Sequence, residues 1–401
     1  MRTVAVIGAG PAGMMAAISA ARNGADVTVF EKNEKTGKKL YITGKGRCNL
    51  TNACADDEFF ENVVSNRKFL YSAYYSFSSD DTISFFEDAG LKLKTERGKR
   101  VFPVSDKASD VIKTLEKEAK RAGVKIKLGC EVKSLYNIKA DAIIIATGGL
   151  SYPSTGSTGD GYRFAREIGH EISQTCPSLC AISVKDSFIK DLEGLSLRNV
   201  SVKIKDEKGK VRFEDLGEML FTGSAVSGPV ILTASARLGR EINAGLGRYT
   251  LHTDLKPALD EPTLDKRILR DFSENINREF KNSLGKLLPA KMIGTIVDLS
   301  GIKPDKRVNS VTKAERAALV RLLKDFTLTL EKTEGYDRAV VTKGGVCVNE
   351  IDPMTMRSKI DPHIFFAGEV IDVDALTGGF NIQIALSTGF LAGSSAAKEE
   401  I

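Results

Sequence analysis

Four glycine-marked stretches hold the residues whose types and spacing could do chemistry. The first, TVAVIGAGPAGMMAAISAARNGADVTVFEK, sets Gly8, Gly10 and Gly13 between an apolar strand and an Ala-rich helix. At this spacing Gly8 permits a tight turn, Gly10 lets the backbone approach a pyrophosphate, and Gly13 lets the helix pack closely on the strand. Pro11 suits the first helical turn, where its missing N–H costs nothing, and Ala12 completes the turn. The free N–H groups and positive end of the helix then face phosphates. Glu31, followed by Lys32, closes the second strand 23 positions beyond Gly8. A carboxylate there accepts hydrogen bonds from both ribose hydroxyls of an adenosine and disfavours a 2′-phosphate. A GxGxxG between two strands, with the acid at this distance, is a strong signal for a dinucleotide.

The second stretch, GKKLYITGKGRCNLTN, selects the dinucleotide. In a plain NAD dehydrogenase the second strand leads on to another helix, whereas here it enters a glycine-punctuated loop with no room for a regular one. FAD is long and extended, and needs backbone N–H groups and small residues beyond the first turn. Gly44 and Gly46, flanked by Thr43 and Cys48, would let the main chain approach the isoalloxazine. Lys38 or Lys39 would offset diphosphate charge. Arg47 and Asn49 supply donors for the flavin edge or a substrate; their plainer alternatives are a surface ion pair and a turn cap. Leu40 to Ile42 read as strand-like. Cys48 has no cysteine two or three positions away, so it is expected to pack rather than react.

The third stretch, KADAIIIATGGLSYPSTGSTGDGYRFAREIGH, begins with the continuous apolar run of a buried parallel strand. It ends at Ala146, Thr147, Gly148 and Gly149, and a short helix follows with Asp160 near its start. Val132, upstream of this strand, joins the expected cofactor contacts. Tyr152 is either a proton donor or an aromatic packed under the loop. The fourth, HIFFAGEVIDVDALTGGFNIQIALSTGFLAG, runs strand, acidic loop, Gly-Gly, helix. Gly368 and Glu369 or Asp372 would meet the ribityl hydroxyls. Gly378, Gly379, Phe380, Asn381 and Ile382 open a helix whose N-terminus aims at the flavin, with Asp374 near the mouth.

These turns need a scaffold, and the chain is long enough to provide one. Its 401 residues exceed what one core usually serves, so two or three domains are expected. Hydrophobic content of 42% and charged content of 27% are those of ordinary globular proteins. The net charge of +6, from 58 basic and 52 acidic residues, reads as an excess spread along the chain and only weakly attracts phosphate or lipid. No apolar run approaches the roughly 20 residues of a membrane span, and Met1 to Ile7 lead directly into a strand, which points to the cytosol. The six cysteines form no CxxC pair and only three histidines are present, so reduced thiols and no zinc site are expected.

The middle of the chain differs from its ends. RNVSVKIK and VRFEDLGEMLFT alternate with period two around the turn DEKGK, which is hairpin chemistry. From about 257 to 325 the pattern is helical, with Pro262 opening one segment and Thr312-Lys-Ala-Glu315 forming a capping box. Strand-like pieces return at FTLTLEK and RAVVTKGGV. The expected class is α/β, with a Rossmann-like FAD-binding domain of the two-dinucleotide-binding flavoprotein type.

Read together, the GxGxxG with Glu31, GKKLYITGKGRCNLTN, ATGGLSYPSTGSTGDGY, GEMLFT with SGP, and GEVIDVDALTGGFNIQIALSTG resemble the bacterial aminoacetone oxidase family of FAD-binding enzymes, the YhiN or BaiN type. The resemblance runs from residue 1 to 395. It implies an FAD domain built from both chain ends, residues 1–185 and 335–401, with a β-rich domain from 186–256 and about 325–334 and a helical domain from 257–324 inserted in it. One branch of that family resembles NAD(P)H-dependent reductases of the conjugated enone of bile-acid intermediates, another resembles amine oxidases acting on aminoacetone. Two departures stand out: many members have GGGRCN where this chain has Gly44-Lys45-Gly46, and a family histidine is replaced within Gly223-Ser224-Ala225.

A second GxGxxG and a redox CxxxxC are both absent from the sequence, so NADH or NADPH would dock transiently. The favoured chemistry passes hydride from the nicotinamide through flavin N5 to the β-carbon of an enone, with a nearby acid protonating the α-carbon. Dioxygen with an amine substrate is the runner-up. The expected partner is a small molecule, and the oligomeric state, monomer or homo-oligomer, is left open. A flavin-stabilised nucleic-acid binder, by analogy with tRNA-modifying flavoproteins, is disfavoured by the mild charge.

Overall fold

The structure is a computed structural model that describes residues 1–245, 247–274 and 276–398; the final three residues of the expected cofactor domain lie outside the described residues. It divides into two compact units. One is Met1–Ser178 together with the chain from Gly335 onward, the other is Leu179–Glu334.

The first unit is built on a five-stranded parallel sheet in the order Ile364–Phe366, Ala142–Ile145, Thr3–Ile7, Asp26–Phe30, Lys125–Lys127. Val4 lies opposite both Val27 and Ala142. All four residues of Ala142–Ile145 are buried, as a run covered on both faces requires. The helix Pro11–Arg22 connects the two strands of the first motif, and the C-terminal helix Phe380–Ala396 crosses it. A Cβ at Gly389 would sit 2.3 Å from the Ala12 carbonyl oxygen, and one at Gly393 would sit 2.1 Å from that of Ala16. Small residues on both helices thus let the two backbones touch, and this is how the ends of the chain become one domain. A three-stranded antiparallel sheet, Thr51–Asn52, Arg100–Pro103 and Leu93–Glu96, flanks the core.

Residues 40–46 depart from the sequence reading. Leu40 to Ile42 form short helical turns rather than a strand, with Leu40 N donating to Gly37 O at 2.8 Å and Ile42 N to Lys39 O at 3.2 Å. The physical reason lies in the flanking backbone: Gly37 takes φ +60° before the segment and Gly44, Lys45 and Gly46 take positive φ after it, which leaves no extended run long enough to pair as a strand. Leu40 alone of the three is buried.

The second unit contains a closed six-stranded antiparallel barrel, ordered Ser196–Lys205, Val211–Phe221, Ala225–Ser227, Ile182–Val184, Phe326–Thr333, Thr250–Asp254 and back to the first. The hairpin turn is held by Asp206, whose Oδ1 accepts from Lys208 N and Lys210 N, both at 3.0 Å. The unit begins before the expected residue 186 because Ile182–Val184 pairs into the barrel.

Three helices, Glu261–Ser273, Ala290–Ser300 and Lys313–Lys324, form the insertion. Pro262 lies in the first turn of one, and the Thr312 and Glu315 side chains cap another reciprocally. Leu264, Ile268, Phe272, Phe280, Met292, Ile296, Leu319 and Leu323 fill its core. Residues 257–324 contain 14 Lys and Arg against 9 Asp and Glu, and the rest of the chain 44 against 43. The basic excess, expected to be spread along the chain, is concentrated in this insertion. Among the described residues no helix is long and apolar enough to cross a membrane.

Candidate cofactor site

The first turn is shaped by its glycines. Gly8 has φ +103°, and a Cβ there would lie 2.5 Å from Ala146 O; a Cβ at Gly13 would lie 1.9 Å from Gly8 O. Side chains at these positions would collide with the protein itself. Gly10 is different. Its φ of −74° suits any residue, and a Cβ there would meet nothing within 4 Å. The absent side chain therefore leaves room on the outside of the turn, beside the N-terminus that Pro11 opens, where a diphosphate binds in this motif.

Glu31 is buried at the end of the second strand. Its carboxylate accepts from Ala9 N at 2.7 Å, Asn33 N at 2.8 Å and Asn33 Nδ2 at 2.7 Å. These bonds fix its orientation while lone pairs remain for a ligand's hydroxyls. Cys130 N donates to Glu31 O, so the segment carrying the half-buried Val132 runs alongside the acid. Lys32 pairs with Asp160 at 2.6 Å and reaches Thr158. Lys38 contacts Asn33 Oδ1 and Glu34, both at 3.3 Å.

Lys39, Ser151, Thr342 and Glu369 converge from four separate segments. Glu369 Oε2 takes Lys39 Nζ at 2.7 Å, and its Oε1 accepts from Ser151 Oγ and Thr342 N, both at 2.7 Å. Thr342 Oγ1 accepts in turn from Leu150 N and Ser151 N. A Cβ at Gly149 would lie 2.5 Å from that same hydroxyl, and Gly148 takes φ +73°.

In the Gly44 to Asn49 loop, Gly44, Lys45, Gly46 and Cys48 all have positive φ. Thr43 Oγ1 donates to Leu40 O and Thr43 O accepts from Cys48 N, which closes the loop. Arg47 forms two parallel bonds to Glu96, both 2.9 Å, reaches Asp106 at 3.2 Å and stacks on Phe102 at 4.0 Å. The hydrogen bonds from Arg47 hold the Glu96 carboxyl below its ordinary range, and Glu96 raises Arg47 in return. Cys48 is fully buried and its thiol is pushed up to about 12 by desolvation, so it packs and is no nucleophile.

On the C-terminal side, Gly368 N donates to Thr388 Oγ1, and Asp372 O accepts from Asn66 Nδ2. A Cβ at Gly379 would lie 2.4 Å from Thr51 O. Asn381 turns back on its own loop, accepting from Ala375 N at 3.0 Å and donating to Ala375 O at 2.7 Å. It holds the Gly-Gly turn in place. Phe380 is buried against Phe59, and Ile382 is half-buried. Asp374 is buried with Lys343, Nζ to Oδ1 3.4 Å. Tyr152 takes φ +52°, and its amide donates to Tyr336 O.

Sequence reasoning missed Ser151, Thr342, Lys343 and Tyr162. Only the strand-like VTK before Gly344 and Gly345 could have flagged two of them. Tyr162 is 3% exposed, its hydroxyl finds no partner among the described residues, and burial holds its proton well above the ordinary range. Thr147 Oγ1 and Asn49 Oδ1 are likewise buried without partners. Orphaned polar atoms of this kind cost about 1–3 kcal/mol each unless something satisfies them. All three lie within the glycine-marked stretches, while others such as Thr82 Oγ1 and Thr253 Oγ1 lie outside them. Together with the open wall at Gly10, this is the donor and acceptor set that an extended, polyhydroxylated dinucleotide fits.

A parallel sheet with such a turn at its first crossover, reinforced by the C-terminal Gly-Gly helix, defines a Rossmann-type FAD-binding flavoprotein. The chain belongs to the family described as HI0933-like protein Rossmann domain, which matches residues 2–395. It is 32% identical over 414 residues to a 3-dehydro-bile acid delta(4,6)-reductase of Clostridium scindens, spanning 99% of this chain and all of the relative. It is also 29% identical to a ribosomal RNA dihydrouridine synthase of Escherichia coli, over 96% of this chain and 95% of that one, and 30% identical to one of Haemophilus influenzae, over 98% of each. Among solved structures, the 3-ketosteroid-delta4-(5alpha)-dehydrogenase of Rhodococcus jostii shares the fold at TM-score 0.50 and 14% identity, with 99% of this chain and 96% of that chain covered. The protein is an FAD-dependent oxidoreductase.

Proposed function

We propose that this flavoprotein reduces a carbon–carbon double bond conjugated to a carbonyl group, with NADH or NADPH as the electron source. The observation that carries the reading is a bond type common to its full-length relatives. A 3-dehydro bile acid unsaturated at C4 has that bond conjugated to its 3-oxo group. Making dihydrouridine saturates the C5=C6 bond of uracil, which is conjugated to the C4 carbonyl.

FAD, when bound, supplies the hydride chemistry. The chain's own residues bind and orient. Glu31 would take the adenosine ribose, the open side of Gly10 and the Pro11–Arg22 N-terminus the diphosphate, and Glu369 with Asp372 the ribityl hydroxyls. The N-terminus of Phe380–Ala396, which follows the Gly378-Gly379 turn, favours negative charge beside it by about 0.3–1 kcal/mol. Asn49, with its buried Oδ1 unengaged, is the candidate for orienting the substrate, and Tyr152 for delivering a proton to the α-carbon. Arg47, through Glu96 and Asp106, shapes the loop that carries Asn49.

The first substrate reading is a steroid-like enone. The second, favoured by two full-length relatives, is a uridine base in ribosomal RNA. A single experiment addresses both: the yellow protein is reduced without air by NADH or NADPH, then offered a panel of 4-ene-3-one steroids and, separately, unmodified ribosomal RNA. Flavin reoxidation with saturation of either substrate supports the reduction. Reoxidation only by air, with an amine reducing the flavin and dioxygen reduced to hydrogen peroxide, would overturn it in favour of an amine oxidase.

A further inference from the structure

We propose that the helical insertion, residues 257–324, is a docking surface for structured RNA. This rests on the second substrate reading only for the identity of the partner; the surface itself follows from charge and geometry. With 14 basic and 9 acidic residues in this segment, against 44 and 43 elsewhere, the insertion carries nearly all the net charge of the chain.

The fold gathers part of this charge. Residues 276–281 and 304–309 zip together through Phe280 N to Lys306 O at 2.8 Å, Lys281 N to Pro304 O at 3.0 Å and Val308 N to Arg278 O at 3.0 Å. Exposed Arg278, Lys281, Lys303 and Arg307 are thereby carried on adjoining strands of backbone, with Lys286 on the loop that follows. Acids partly offset them: Lys281 pairs with Glu279 at 3.1 Å, Lys286 pairs with Glu274, and Asp305 is exposed nearby. Arg278, Lys303 and Arg307 have no carboxylate partner among the described residues. Lys306 is spent on Glu315, which anchors the zipped pair to the cap of Lys313–Lys324.

An array of unpaired cations on a packed scaffold is what a phosphate backbone recognises, through counterion release and arginine–phosphate hydrogen bonds. A bile-acid-like enone carries a single carboxylate, which one cation would satisfy, and gives no use for an array spread over two backbone segments. A lipid surface would need an apolar face beside the charge; among the described residues of the two zipped segments Ile276 alone exposes a large apolar side chain, while Phe280 and Val308 are buried in the core of the insertion.

The test uses the full-length flavoprotein and a fluorescein-labelled ribosomal RNA hairpin, with anisotropy measured across a salt series. The double variant Lys303→Glu with Arg307→Glu should bind at least about tenfold more weakly and lower the salt slope by about 1–2. A control pair, Lys113→Glu with Lys120→Glu on the other unit, should bind as the parent does, and both variants should keep the parent's flavin content. Equal loss in the control, no loss in the double variant, no binding by the parent, or retention on phosphatidylserine vesicles but not on RNA would each overturn the proposal. If binding follows the insertion's charge but no dihydrouridine forms, the docking surface stands and the uridine reading falls.

Discussion

Lys39 Nζ lies 2.7 Å from Glu369 Oε2, across 330 residues of sequence. The pair ties the loop after the second strand to the C-terminal acidic segment, and Ser151 and Thr342 join it on the same carboxylate. Both side chains are about one-fifth exposed, so the bonds are partly shielded from water. Glu369→Ala removes the acceptor of the Thr342 amide and the carboxylate of the Lys39 ammonium, which keeps only Ser151 Oγ. Flavin retained after gel filtration should fall about tenfold or more, equivalent to about 1.4 kcal/mol. Full retention would remove Glu369 from the cofactor site.

Gly10 and Gly13 separate space kept for a ligand from space taken by the protein. Gly10→Ala puts a methyl group where nothing lies within 4 Å, so unfolding free energy should change by less than about 1 kcal/mol while flavin retention drops sharply. Gly13→Ala forces a Cβ to within 1.9 Å of Gly8 O and should destabilise by about 1–3 kcal/mol or more. Chemical denaturation with flavin absorbance on the same samples checks both. If Gly10→Ala binds flavin normally, the diphosphate lies elsewhere.

Arg47 acts on the loop through Glu96 and Asp106. Arg47→Ala and Glu96→Gln should therefore weaken flavin retention in the same direction, and the double variant should be little worse than either single one. Additive losses would instead place the guanidinium on the ligand.

His170 gives the first unit a pH dependence. Its Nδ1 is 3.1 Å from Glu350 Oε2 and its Nε2 is 2.7 Å from Ser358 Oγ. Ser358 Oγ already accepts from Ile360 N and Asp361 N, so its proton goes to Nε2 and the imidazole is neutral. Burial lowers its pKa, a larger effect than the opposing pull of Glu350 and Asp361. With the folded value below the unfolded one, near 6.5, the unfolded chain binds the extra proton. Stability should hold above about pH 6.5 and fall as pH drops toward the lowered folded value. Urea midpoints from pH 8 to 5 should show this slope, and His170→Asn should flatten it; an unchanged slope would assign it to other groups.

The sequence by itself determined the parts whose physics is local. Gly8, Gly10, Gly13 and Glu31 lie within one strand–helix–strand unit, so their spacing alone sets the turn and the position of the acid. The hairpin around Asp206 and the capping box at Thr312 and Glu315 are legible for the same reason. Tertiary structure decided what depends on distant partners. Arg47 had both a ligand and an ion pair open to it until the fold supplied Glu96 and Asp106. Leu40 to Ile42 became helical turns because the left-handed backbone at Gly37 and from Gly44 to Gly46 folds the segment back on itself. The Lys39, Ser151, Thr342 and Glu369 cluster joins segments hundreds of residues apart, and no local period encodes it. Local sequence fixes backbone preference over a few residues, while long-range contacts exist only once burial has brought separate segments together.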